Sequence, residues 1–238
     1  EAGMADYRMY AGKPVVIKPK STNFGLGITI LKHNYDETDF KGALQIAFEH
    51  DNTLLIEKFI PGREFRIFII NDEVVGILHR VPANVTGDGV LNIGQLIDRK
   101  NEDPLRGKGY RTPLEKIRKG REEEMFLKQQ GMDFNTVPKE GEVVYLRENS
   151  NISTGGDSID FTDDIDDSYK AIAVEAAKAL NVKITGLDMM IQDIHAPATP
   201  DNYAIIEMNF NPAIHIHCYP FKGKNRHLNH KMIRALGF

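Results

Sequence analysis

The sequence predicts an α+β fold. Three extended runs, TLLIEKFI (53–60), REFRIFII (63–70) and EVVGILHRV (73–81), follow one another closely. Only Pro61-Gly62 and Asn71-Asp72 separate them, both turn signals, so the runs read as an antiparallel meander. The helical segments stand apart from these strands instead of alternating with them one by one, which speaks against a βαβ arrangement. With 238 residues, 41% of them hydrophobic, the chain can bury a large core in one or two domains.

In chain order, 13–19 (KPVVIKP) reads as a short strand, and 37–50 place Phe40, Ala43, Leu44, Ala47 and Phe48 at helical spacing. After the meander, 82–121 is polar and glycine-dotted, with a short helix near 92–100 and a basic stretch, PLRGKGYRTPLEKIRKGR. Residues 121–131 read as helix and VVYLRE (143–148) as strand. NISTGGDSIDFTDDID is a loop running into a helix at 166–181, where Asp166 or Asp167 suits the first turn because negative charge meets the positive helix end. Strands at 183–194 and 203–211, a His-rich turn and a helix at 224–236 complete the chain.

Composition removes several classes. A net charge of −4 argues against a nucleic-acid protein, whose affinity rests on a basic face. No segment approaches the roughly 20 apolar residues of a membrane span. The single cysteine, Cys218, excludes an internal disulfide and paired-cysteine zinc or redox motifs, a usage that suits a reducing cytoplasm. The chain opens on Glu1 in mid-pattern and reads as part of something longer.

Three clusters carry chemistry. On the strand YAIIEMNFN, Glu207 and Asn209 share a face, and in GLDMMIQDI the carboxylate of Asp188 stands alone among apolar residues, which is costly unless it is paired or binds a cation. A hairpin through HAPATPDN would bring the three together as a hard-oxygen site suited to magnesium; exposed carboxylates held in ion pairs are the alternative. In VIKPKSTNFGLGI a strand bearing Lys18 and Lys20 enters a loop with Ser21, Asn23, Gly25 and Gly27. Such a loop can cradle an anion, or it can be an ordinary strand-to-strand turn. EKFIPGREF places Glu57 and Glu64 around a turn, where an adenosine finds backbone polar groups and a carboxylate for its ribose.

VVIKP, the glycine loop, EKFIPGREFR, GLDMM and IEMNFNP in this order resemble the ATP-grasp superfamily, ATP-dependent carboxylate–amine ligases that pass through an acyl phosphate. HRVPANVTGDG, PLRGKGYRTPLEKI, YLRENSNISTGGDSIDFTD and EMNFNPAIHIHCYPFKGKNR are similar to the C-terminal, glutathione-synthetase part of bacterial bifunctional enzymes of that superfamily. Cyanophycin synthetase is the near neighbour. The resemblance implies an ATP-grasp fold of two α+β subdomains, 1–72 and 73–238, with ATP held between antiparallel sheets. It implies Lys18 on the ATP phosphates, Ser21 to Gly27 as a lid, Glu57, Lys58, Phe59 and Ile60 along the adenine, and Glu64 on the ribose. Asp188, Glu207 and Asn209 would hold Mg2+ or Mn2+. Arg80 and Arg147, both at strand ends, would stabilise the transferring phosphoryl or anchor a substrate carboxylate, with a surface ion pair as the alternative for each. Asn149, Asn151, Ser153, Thr154 and Gly155 would shape an amino-acid pocket.

The implied substrates are γ-glutamylcysteine and glycine; a ligase for another peptide and a nucleotide-binding module without catalysis are the competing readings. The implied partner is a preceding domain of the same longer chain, with a homo-oligomer left open and neither nucleic acid nor membrane expected. Lys20 stays open between nucleotide and substrate. His215 and His217, read as alternating on an extended run near Cys218, lack a fourth zinc ligand and suit packing or a substrate loop.

Overall fold

A computed structural model describes residues 7–22, 26–32 and 34–238. It divides into two compact units, Glu1–Pro61 and Gly62–Phe238.

In the first unit, β1 (Val15–Pro19), β2 (Thr29–Leu31) and β3 (Leu54–Lys58) form an antiparallel sheet in the order β2-β1-β3. Helix α1 (Glu37–Phe48) starts at a reciprocal cap: Asp36 accepts from the Thr38 and Asp39 amides while the Asp39 carboxylate accepts from the Asp36 amide. Its buried stripe, Phe40, Ala43, Leu44 and Ala47, packs with Val15, Ile17 and Tyr35. Phe48, expected on that stripe, is 43% exposed, because the helix ends there.

The second unit contains β4 (Arg63–Ile70), β5 (Glu73–Val81), β6 (Asn84–Thr86), α2 (Ile93–Lys100), β7 (Arg106–Gly107), β8 (Leu114–Glu115), α3 (Arg121–Gln129) and β9 (Val143–Tyr145). They are followed by β10 (Asp157–Asp160), α4 (Asp167–Ala179), β11 (Ile184–Ile191), β12 (Tyr203–Asn209), α5 (His215–Cys218) and α6 (Leu228–Ala235). The central sheet runs β10-β5-β4-β11-β12, all antiparallel. The meander is therefore two strands, not three. Residues 53–60 pair with β1 instead, and burial gives the reason: β3 alternates as a half-covered strand, whereas β4 is buried continuously from Phe65 and needs cover on both faces. For the same reason β4 belongs wholly to the second unit, and the division falls at Pro61–Gly62 rather than after 72.

One face of this sheet packs Phe65, Ile67, Ile69, Ile77, Leu187, Met189 and Ile191 against the Tyr169, Ala173 and Ala177 stripe of α4. The other face is divided. Phe68, Ile70 and Val75 lie under Cys218 of α5 and Leu228 of α6, while the rows nearer Glu64 and Asp188 carry charge. Segment 210–218 crosses this face at two glycines: a Cβ on Gly186 would lie 2.7 Å from Pro212, and one on Gly76 would lie 2.8 Å from His217 Nδ1. A separate small core, including Val85, Ile93, Leu96, Leu127, Val144 and Leu146, holds the 83–146 stretch together around the β6-β9 ribbon. The His-rich segment is a one-turn helix, not an extended run: the His217 amide bonds to Ile214 O and the Tyr219 amide to His215 O. No helix among the described residues is long and apolar enough to cross a membrane.

Candidate functional site

The charged face follows from strand register. Asp188 sits opposite Glu207 on one side and opposite Arg66 on the other. Side chains two residues apart on a strand share a face, so Glu64 joins Arg66, Asn209 joins Glu207, and Arg80 lies on the same side of β5 as Leu78, the partner of Arg66. The HAPATPDN connection thus makes the expected antiparallel hairpin and brings Asp188, Glu207 and Asn209 together, with Asn209 Nδ2 donating to Glu207 Oε1 at 3.0 Å.

Asp188 is 2% exposed and fully engaged. Arg66 grips it through Nε on Oδ1 and Nη2 on Oδ2, the latter at 2.8 Å, and Arg80 Nη2 reaches Oδ2 at 3.0 Å. Burial pushes the Asp188 carboxyl up. The Arg66 hydrogen bonds and the charges of Arg80 and Arg66 outweigh that push and hold it below its ordinary value, so it is ionised. Arg80 also pairs with Glu64, whose other oxygen accepts from Ser150 Oγ at 2.6 Å. Arg80 Nε is buried without a partner among the described residues.

Arg66 and Ser150 are absent from the sequence-derived candidates. The signal for Arg66 was present in REFRIFII, where an arginine two residues from Glu64 interrupts an otherwise apolar strand. Glu64, expected to meet a ribose, pairs with Arg80, because its place on β4 puts it on the face that bears Arg66 and Asp188.

The donor set matches a hard cation that arrives with other oxygen ligands. No group of three His, Cys, Asp or Glu side chains among the described residues forms a ready cage. Two facing carboxylates with an adjacent amide suit magnesium, which keeps several waters and takes one or two carboxylates plus phosphates. A cation there competes with Arg66 and Arg80 for Asp188.

The remaining candidates fall in two places. In the Asn149–Gly155 loop, Thr154 Oγ1 shares its single proton between Asn149 Oδ1 at 2.9 Å and Asn151 O at 2.8 Å, so the loop holds itself closed. Ser153 is half-buried in the same turn, and Gly155 has φ +93° with Ile117 where a side chain would go. Arg147 does not join Arg80. Its Nε donates to Glu123 at 2.7 Å and its Nη2 pairs with Glu122 and Glu123, at the start of α3. Glu123 is 1% exposed and also caps the Gly120 amide, so Arg147 neutralises a buried carboxylate there.

In the first unit Lys18 pairs with Glu57 at 2.6 Å across β1 and β3. Lys58 is exposed, the Phe59 amide donates to Pro14 O at 3.0 Å, and Ile60 is half-buried. Lys20 and Ser21 are exposed, anchored through the Lys20 amide on Thr53 O and the Ser21 amide on Asp51. Gly27 has φ +75° and abuts Pro19 and His50. Asn23 and Gly25 lie outside the described residues.

Comparison with known proteins is consistent with this arrangement. Residues 3–92 match the family described as the C-terminus of D-ala D-ala ligase. The chain is 63% identical over 235 residues to the glutathione biosynthesis bifunctional protein GshAB of Desulfotalea psychrophila, covering 99% of this chain and 30% of that protein. It is 57% identical to the protein of the same name from Clostridium perfringens, covering 97% and 30%. A crystal structure of a bifunctional glutathione synthetase from Pasteurella multocida superposes with a TM-score of 0.74 at 46% identity, covering 97% of this chain and 32% of that one. The chain thus spans about a third of the length of these relatives.

Proposed function

We propose that the chain is an ATP-grasp ligase and that it joins γ-glutamylcysteine to glycine with ATP, giving glutathione, ADP and phosphate. A carboxylate oxygen of γ-glutamylcysteine attacks the γ-phosphorus and ADP leaves. The glycine nitrogen then attacks the acyl carbon, phosphate leaves with the C–O bond electrons, and the nitrogen gives up a proton. The observation that carries this reading is the row Glu207–Asp188–Arg66 with Arg80 beside it: two carboxylates and two guanidiniums on one sheet face.

Asp188, Glu207 and Asn209 would hold magnesium, or manganese in its place, which neutralises phosphate charge when bound. Arg66 and Arg80 supply fixed positive charge where a phosphoryl or acyl-phosphate oxygen develops negative charge. Catalysis in this scheme is positioning and electrostatics, with no covalent nucleophile from the protein. Lys18 is assigned to the phosphates, Glu57 to Ile60 to the adenine, and the Asn149–Gly155 loop to the amino-acid substrates. Arg147 is assigned to holding α3. The longer relatives support a further domain on the same polypeptide, and the single cysteine suits a reducing cytoplasm.

The test is ADP release by the full-length protein with γ-glutamylcysteine and glycine. No release, or release only with other peptides, overturns the proposal.

A further inference from the structure

The basic stretch that follows α2 has no part in the scheme above, yet it is built onto the loop assigned to the amino-acid substrates. Arg106, 4% exposed, opens it. Its guanidinium donates to Gly155 O at 3.0 Å and to Glu115 O at 2.9 Å and pairs with the buried Asp157, so one side chain ties the base of the stretch to both ends of Gly155–Asp157. Ile117 fills the space that a side chain at Gly155 would take, and Asn101 holds Ile117 by two hydrogen bonds of 2.8 Å.

From this base the segment between β7 and β8 projects Lys108, Tyr110 and Arg111, all exposed. Tyr110 is held at φ +59°, a region that non-glycine residues seldom occupy, and is 71% exposed. The Glu115 carboxylate imposes that shape, accepting from the Gly109 amide at 3.1 Å and from the Tyr110 amide. An exposed aromatic kept in strained backbone, between two exposed cations that form no ion pair among the described residues, is an ordered tip. An ordinary solvated charge run does not need such anchoring.

We infer that residues 106–115 form a specificity element for the reaction: Arg106 is a positioning residue for the Asn149–Gly155 loop, and Lys108, Tyr110 and Arg111 recognise a carboxylate of the anionic peptide substrate. This rests on the functional reading above. The ligand class is a small peptide carrying more than one carboxylate. Two cations that leave ATP handling to other residues give selectivity for such a peptide over a neutral one.

The experiment uses the full-length protein and measures KM separately for γ-glutamylcysteine, glycine and ATP, with calorimetric titration of γ-glutamylcysteine alongside. Lys108→Ala with Arg111→Ala is expected to raise the peptide KM about tenfold, from the loss of a charge-assisted contact at an exposed site, while the ATP KM and kcat stay within twofold. Tyr110→Gly removes the backbone strain, so it should keep or raise the melting temperature and still raise the peptide KM severalfold. An active wild type whose tip variants bind and turn over the peptide normally overturns the inference, as does an equal rise in the ATP KM. A wild type that releases no ADP overturns the functional reading instead; tip-dependent peptide binding by titration then still supports the recognition role, and its absence refutes it.

Discussion

Replacing Asp188 by asparagine strikes the residue on which the charged face depends. The carboxylate side chain is 3% exposed and receives three hydrogen bonds from Arg66 and Arg80. Asparagine keeps one acceptor oxygen but removes the charge, leaving Arg80 with Glu64 as its remaining counter-ion and Arg66 without its ion-pair partner. Breaking a buried ion pair by removing one partner costs about 3–5 kcal/mol, and the retained oxygen puts the expected loss near the low end, about 3 kcal/mol. That is a large part of the roughly 5–15 kcal/mol by which domains are stable. The carboxyl is held below its ordinary value of 3.8 in the folded state, so its contribution is complete above that value and is lost as the pH falls through it towards the folded one. Urea titrations of wild type and variant should therefore differ by about 3 kcal/mol at pH 7 and converge in acid. ADP formation by the variant should be abolished at saturating ATP under conditions where it remains folded. A difference below about 0.5 kcal/mol at pH 7, the scatter of ordinary surface substitutions, would refute the buried-pair argument, and full turnover would refute the metal assignment.

Other outcomes follow from the same physics. Arg147→Met strands Glu123, 1% exposed, and should cost about 3 kcal/mol by denaturation, with kcat retained in the folded enzyme. Gly76→Ala pushes a methyl to 2.8 Å from His217 Nδ1 and should cost about 1–3 kcal/mol of overpacking, read from the urea midpoint. His79, half-buried beside Phe65 and Phe161, is brought down to about 4, first by burial and then by the Arg63 charge. The unfolded chain therefore takes up the proton first, and stability should fall as pH drops from 6.5 towards 4. His79→Phe should flatten that limb of the curve. Lys18→Met should raise the KM for ATP with little change in melting temperature, since its partner Glu57 is largely exposed and such pairs contribute about 0–1 kcal/mol.

Much of this was legible in the sequence because period and turn chemistry are local. The α1 stripe as far as Ala47, the acidic start of α4 at Asp166 and Asp167 and the 183–209 hairpin follow from local pattern, and the hairpin placed Asp188 beside Glu207. What failed was non-local. Residues 53–60 carry a pattern any β partner could satisfy, and only the sheet shows that β1 takes them. Arg66 escaped notice because a charge inside an apolar run looks like an interruption until Asp188 appears across the ladder, 122 residues away. Arg80 and Arg147 look alike in sequence, each ending a strand before a polar loop, and are told apart by their neighbours: Asp188 and Glu64 for one, Glu122 and Glu123 for the other.

The alternation of charge and core across β4 and β11 also acts as a check on assembly. Shifting β11 by one residue against β4 would turn Asp188 towards Ile67 and α4, and bring Leu187 or Met189 out to face Arg66. An ion would then lie unpaired in the core while two guanidiniums faced hydrocarbon. A misregistered sheet therefore loses its stability and its charged row in the same step, so a chain that survives folding already carries Asp188 between Arg66 and Glu207.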